Sequence, residues 1–219
     1  MAGSSPLAGV CVIAAWLGLV LILAVITRRH WPQQRELSRK IVHIGTGPVL
    51  PMAWWLRIPA GIAVPVAIAI TLATLINHRW RLLPAVEDVE RHSYGTVAYG
   101  LAITTLLVLF WPQDPQAACA GVLVMAAADG LAGLIGRATD TPRWQIWGQT
   151  KSTAGTVTMA AVSLTVLGLL AWIGPDNPGL ASLLAISLLA TGLEQLSPWG
   201  IDNLTVPLAV GLSWQWLSP

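Results

Sequence analysis

Hydrophobic positions in this chain come in long unbroken blocks rather than in alternation. The first runs from about Leu7 to Ile26, about the 20 residues a spanning helix needs. Further blocks cover 41–57, 59–77, 96–111, 117–136, 153–173 and 179–196, with a weaker one at 204–217. Only helices and closed barrels satisfy their backbone inside lipid, and continuous runs point to helices. The expected fold is an all-α integral membrane protein, a bundle of seven transmembrane helices plus a marginal C-terminal eighth. Residues 1–219 read as a single polytopic domain without internal repeats. Its polar loops fall at 28–40, 78–95 and 137–152. The first block has neither a basic segment before it nor an Arg-rich transit pattern, so it is expected to stay as a membrane helix.

Composition agrees. The 219 residues are 55% hydrophobic and 10% charged, where soluble domains carry about 25% charged residues. A net charge of +2 and the lack of a basic tail argue against nucleic acid as a partner. Cys11 and Cys119 lie in different blocks and read as small buried hydrophobes. The cations are strongly biased. Arg28, Arg29, Arg35, Arg39, Lys40, Arg79, Arg81, Arg91, Arg137, Arg143 and Lys151 fall on one side of the expected membrane, and Arg57 alone on the other. The positive-inside rule makes the crowded side cytoplasmic and puts the N-terminus outside. Trp31, Trp54, Trp55, Trp80, Trp111, Trp172 and Trp199 fall near expected helix ends, as an interfacial aromatic belt requires.

Against this background a few polar residues stand out. Asp129 and Glu194 are acids inside apolar blocks, where ionisable groups mark function by default. On a helix, Ala132, Gly133 and Gly136 share the face of Asp129. That bare face fits either a packing seam of small residues or a wall against which a ligand or metal lies. Lys151 and Ser152 open the block at 153–173, with Gly155 one turn on, so a helix N-terminus, an ammonium and a hydroxyl coincide. An ordinary Ser N-cap beside a snorkelling lysine fits the same residues. No Walker A is present, because Thr150 rather than Gly precedes Lys151. Arg39, Lys40 and His43 form a cationic cluster, expected to face the headgroup zone, where the second block begins. Arg91, Ser93 and Thr96 repeat the theme near the start of the block at 96–111. Asp202 and Asn203 precede LTVP, whose Pro207 is expected to break or kink the last helix. Acids and cations gathered at the cytoplasmic surface suit a Mg²⁺-bound polyphosphate meeting a lipid-embedded substrate. A proton-coupled transporter also uses buried acids, but without the repeated halves such transporters show the enzyme reading is favoured. A structural subunit with packing-only glycines is the remaining class.

Four stretches read together carry a resemblance: RKIVHIGTG (39–47), RHSYGTVAYGL (91–101), ADGLAGLIGR with QIWGQTKSTAGT (128–137 and 145–156), and LEQLSPWGIDNLTVPL (193–208). The chain resembles the polyprenol kinase family, which includes phytol, farnesol and dolichol kinases and CTP-dependent diacylglycerol kinases, and it is most similar to the phytol kinase branch. The resemblance covers about 39–208. It implies transfer of a phosphoryl group from a nucleoside triphosphate, typically CTP, with a divalent metal such as Mg²⁺, to an isoprenoid alcohol (phytol, geranylgeraniol or farnesol). In phototrophs the alcohol would be phytol released from chlorophyll, and the product would feed tocopherol synthesis. A cytidylyltransferase forming a CDP-lipid is an alternative with the same donor.

The family's Asp-Gly element falls on Asp129 and Gly130, its Lys-Ser-x-x-Gly element on Lys151, Ser152 and Gly155, its Arg-Lys-x-x-His element on Arg39, Lys40 and His43, and its Asp-Asn element on Asp202 and Asn203. If an acid after the Asp-Gly element binds metal in some relatives, Gly133 here shifts that role to Glu194 or Asp202. The implied site therefore has Asp129 with Glu194 or Asp202 on the metal. Lys151, Ser152, Gly130, Gly133, Gly136 and Gly155 lie around the nucleotide. Arg39, Lys40 or Arg91 faces the transferring group, His43 or Asp129 takes the alcohol proton, and Ser93 and Asn203 support.

Overall fold

The computed structural model describes residues 5–83, 86 and 94–218; Arg91 and Ser93 lie outside them. Among the described residues the chain is helical apart from one β-hairpin. The elements are α1 (Pro6–His30), α2 (Arg35–Thr46), α3 (Val49–Trp55), α4 (Ala60–Trp80), α5 (Gly95–Phe110), α6 (Pro115–Leu123), a π-helical turn (Val124–Asp129), α7 (Gly130–Ala138), β1 (Arg143–Ile146), β2 (Gln149–Ser152), α8 (Thr153–Ile173), α9 (Leu180–Leu196) and α10 (Asp202–Leu217). Four helical stretches among them are long and apolar enough to cross a membrane: Pro6–His30, Ala60–Trp80, Pro115–Ala138 and Thr153–Ile173. Helices α5 and α9 are apolar but shorter.

Local chemistry sets the helix starts. Ser5 Oγ accepts from Ala8 N at 3.3 Å with Pro6 in the first turn. Asp114 Oδ1 accepts from Ala117 N at 3.0 Å ahead of Pro115. Ser152 Oγ accepts from Gly155 N at 3.2 Å. Each cap satisfies a backbone donor that has no partner inside its helix.

The structure departs from the block pattern in four places. The stretch 41–57 is not one helix. Pro48 has no N–H to donate back along α2, and Gly47 N takes the Ile44 carbonyl at 3.1 Å, so α2 stops and the seven-residue α3 follows. The loop 137–152 contains the hairpin, with Arg143 opposite Ser152 and Ile146 opposite Gln149. Pro207 does not break the last helix, since α10 runs through it. The marginal run at 204–217 is a core helix: Val206, Val210 and Trp214 are fully buried. Leu212 and Trp216 on its other face stay exposed. Two smaller expectations also change. Trp111 belongs to the core, with its Nε1 donating to Ile58 O at 2.8 Å. Cys11 is exposed, whereas Cys119 is buried.

The segment from α6 through α7 is the axis of the molecule. Two-thirds (67%) of its most apolar window is buried, against 6% for α4. It packs against α2, α3, α5, α8 and α10, with α1 and α4 outside that ring. Backbones come very close where α10 crosses α6: a side chain at Gly121 would run into the Pro207 carbonyl, and one at Gly211 would meet the Ala117 carbonyl at 3.1 Å. Overpacking of this kind destabilises by about 1–3 kcal/mol. Gly121→Ala is therefore expected to lower the melting temperature of the detergent-solubilised protein. Gly18→Ala in α1, which opens onto free space, should leave it unchanged or slightly raised.

Candidate active site

The site is built around the π-helical turn. Six residues in the wider winding shift the register between α6 and α7, so Asp129 and the Met125 carbonyl both turn towards α2. Such turns are uncommon and gather at functional sites. His43 Nε2 lies 3.0 Å from Met125 O and 3.2 Å from Asp129 Oδ2. A carbonyl oxygen only accepts, so Nε2 carries the hydrogen. The ring lies 4.6 Å from that of Tyr99, tilted at 37°, which helps fix its orientation. Lys40 Nζ donates to Asp129 Oδ2 at 2.7 Å and to Asp129 O at 3.1 Å. Lys40 is 3% exposed. Lys40 and His43 thus point into the bundle, not towards a headgroup zone as their spacing led us to expect.

A second pair mirrors the first. Lys151, at the end of β2, donates to Glu194 Oε1 in a short ion pair and to Glu194 O at 2.7 Å. Gln195 Nε2 holds the other carboxylate oxygen at 2.7 Å and reaches Thr156 Oγ1 at 3.0 Å. Lys40 and Lys151 are the chain's two lysines, and each is buried against an acid of one cluster. Asp202, in the first turn of α10, completes it, with Asn203 N and Nδ2 donating to Asp202 Oδ1 at 3.1 and 3.2 Å. One oxygen from each of Asp129, Glu194 and Asp202 lies within 4.8 Å of the others. Three carboxylates thus face two ammonium groups. Buried charge of one sign needs compensation, and hard carboxylate oxygens are the donors that Mg²⁺ takes. The residues present fit a divalent cation, and both acids named from the sequence as partners for Asp129 are there.

These groups form the floor of a cavity of about 650 Å³, a size usual for ligand sites. Its walls include Gly133, Gly136, Ser152 and Gly155, and its rim carries Arg39, Arg137 and Arg143. The glycine face serves both of the purposes left open by the sequence. A Cβ at Gly136 would meet Ser152 Oγ at 2.7 Å and Gly155 Cα at 3.3 Å, so α7 and α8 touch there, while one at Gly133 would meet Lys40 Cε at 3.0 Å. Gly130 packs on Ile44 instead and does not line the cavity. Ser152 Oγ caps α8 and also donates to Gly136 O at 3.3 Å. Thr96, in the first turn of α5, bonds to Val86 O at 3.4 Å and lies outside the cavity lining.

Sequence reasoning missed several cavity residues. Glu36 bridges Arg39 (2.5 Å) and Arg137 (3.0 Å), tying α2 to α7 at the rim. Burial alone would raise its carboxyl, but Arg39, with Arg137 and Lys40, holds it down at about 2. Its i+3 and i+4 spacing to Arg39 and Lys40 was the available signal. Arg137, Arg143, Trp147, Gln195 and Trp199 line the same cavity.

Comparison with known proteins follows the same direction. The chain is 40% identical over 212 residues to the phytol kinase of Synechocystis sp., covering 93% of this chain and 91% of that protein. It is 27% identical over 228 residues to phytol kinase 1, chloroplastic, of Arabidopsis thaliana (94% and 74% covered). With the farnesol kinase, chloroplastic, of the same plant it shares 27% identity over 203 residues (82% and 64% covered). No family model matches the chain, and no solved structure matches it. An apolar helical bundle with an acid-and-lysine cavity describes a class of protein. At this level of identity the chain belongs to the polyprenol kinase family, which includes the phytol kinases it is similar to.

Removing one member of a buried ion pair costs about 3–5 kcal/mol, because the other charge is left alone. Lys40→Met and Asp129→Asn are each expected to lower thermal stability strongly. The double variant should lose less than the sum of the two, a coupling that a double-mutant cycle of detergent melts would measure.

Proposed function

We propose that this chain is a lipid kinase that transfers the terminal phosphoryl group of a nucleoside triphosphate, CTP in our reading, to an isoprenoid alcohol such as phytol. The observation that carries the proposal is the meeting of Asp129, Glu194 and Asp202 with Lys40 and Lys151 at the floor of one cavity. The identity to the Synechocystis phytol kinase supports it. A long isoprenoid chain cannot leave lipid cheaply, and a nucleotide cannot enter it, so the two must meet at the boundary.

In this reading Asp129, Glu194 and Asp202 hold Mg²⁺, which supplies charge neutralisation at the phosphoryl group when bound. Lys151, Ser152 and the start of α8, together with Arg39, Arg137 and Arg143 on the rim, hold the donor phosphates. Lys40 keeps Asp129 in place and adds positive charge. His43, its Nε2 hydrogen engaged, steadies the same carboxylate. The alcohol oxygen attacks the terminal phosphorus, and its bond forms as the bond to the nucleoside diphosphate breaks. A carboxylate of the cluster accepts the alcohol proton. Transfer of this kind depends mostly on positioning and electrostatics. The site lies at the cytoplasmic face of a plasma or thylakoid membrane, with the N-terminus outside and the basic loops inside.

Purified protein in detergent should move labelled phosphate from CTP to phytol and release CDP. Release of pyrophosphate instead would mark a cytidylyltransferase. Asp129→Asn and Lys151→Ala are each expected to reduce kcat/KM by about 100-fold or more, the scale for loss of a charge-stabilising group; unchanged rates in both would remove the site. A cysteine placed at residue 145 of a cysteine-free variant should be labelled from the cytoplasmic side only, and labelling from outside would overturn the orientation.

A further inference from the structure

Two turns at the cavity mouth share an unusual construction. Ile146-Trp147-Gly148-Gln149 closes the hairpin, and Pro198-Trp199-Gly200-Ile201 joins α9 to α10. In both, the central pair has positive φ: 51° and 75° at Trp147 and Gly148, 52° and 82° at Trp199 and Gly200. The second turn is closed by Ile201 N donating to Pro198 O at 3.0 Å. Turns of this type favour Asn, Asp or Gly at the first central position, and a bulky residue there is a conformational outlier. Among the described residues the other non-glycine positive-φ positions, Arg57 and Arg81, close helices. Trp147 and Trp199 do not, yet they are held in a strained backbone on an open surface, 72% and 63% exposed. Strain of this kind gathers at ligand clamps.

Both indoles and both glycines line the cavity whose floor holds the acids. The cavity is therefore polarised, with carboxylates and ammonium groups deep, arginines at the rim and two aromatic faces outermost. A nucleoside triphosphate is polarised the same way, anionic at one end and a flat aromatic ring at the other. We propose that Trp147 and Trp199 are base-stacking jaws that grip the nucleobase of the donor while its phosphates reach the acid cluster. The proposal rests on the kinase reading for the direction in which the donor lies. It moves Trp199 from membrane anchoring to ligand binding. Stacking on an aromatic face tolerates any base, so the jaws supply affinity and leave base choice to other groups.

The test uses Trp147→Asn and Trp199→Asn, which remove the ring while suiting the turn, beside Trp147→Phe and Trp199→Phe, which keep a ring. Equilibrium dialysis of labelled CTP against the purified full chain is run with melting curves and with phytol kinetics. The Asn variants are expected to bind CTP about tenfold more weakly, a typical loss for one stacked base, with unchanged or higher melting temperature and unchanged KM for phytol. The Phe variants should recover most of the affinity. Inorganic tripolyphosphate, which has no base, should show the same inhibition constant with all of them. Unchanged CTP affinity in both Asn variants would overturn the jaws while leaving phosphate transfer intact. So would a rise in the KM for phytol alone, which marks a membrane anchor. Ring-dependent CTP binding without transfer to any alcohol would sink the kinase reading and leave the jaws standing.

Discussion

The interaction on which the rest depends is the compensation of three buried carboxylates inside an apolar bundle. An isolated ionised acid in such surroundings is prohibitively costly, and acids survive there only when paired. Asp129 and Glu194 each take a lysine, and those are the two lysines of the whole chain. The pairs draw on α2, the segment around Asp129, β2 and α9, while Asp202 comes from α10. Ionic demand thus dictates which elements must meet, and the helices around the cluster are arranged to let them.

This explains why close backbone approach recurs. For Lys40 to reach Asp129, α2 must lie tight on α7, and Gly133 leaves room for the lysine stem. For the end of β2 to face Glu194, α8 must start against α7, and Gly136 with Gly155 permits that. Glu36 then joins Arg39 to Arg137 across the same junction. Packing and charge are therefore one problem here. The small residues stand where they do because the ions do.

Much of this was legible in the chain. Asp129, Glu194, Lys151 and Asp202 were conspicuous as polar groups in or beside greasy blocks, and the cost of burial is what made them so. The long helices followed from apolar length, and four of them meet the requirement for crossing a membrane. What hid was of two kinds. Backbone conformation without a compositional marker could not be read: the π turn looks like any alanine-rich helix, and the hairpin turn uses Trp-Gly where Asn-Gly would have announced it. Three-dimensional neighbourhood could not be read either. Nothing local says that Lys40 answers Asp129, that Trp111 is core, or that one face of α10 is fully buried.

The π turn gives the apolar segment an unusual kind of information content. Within most membrane helices the exact number of residues is loosely specified, since an extra alanine changes neither hydropathy nor span. Between Leu123 and Gly130 the count itself matters. Losing one residue of the run Met125-Ala126-Ala127-Ala128 would let ordinary helix form throughout. The wider winding already absorbs one residue's turn of about 100°, so the helix beyond would keep its facing while the turn itself disappeared. Hydropathy would be untouched, yet the Met125 carbonyl that now meets His43 at 3.0 Å would return to the helix ladder. At this one place the number of residues carries chemistry that hydropathy does not record.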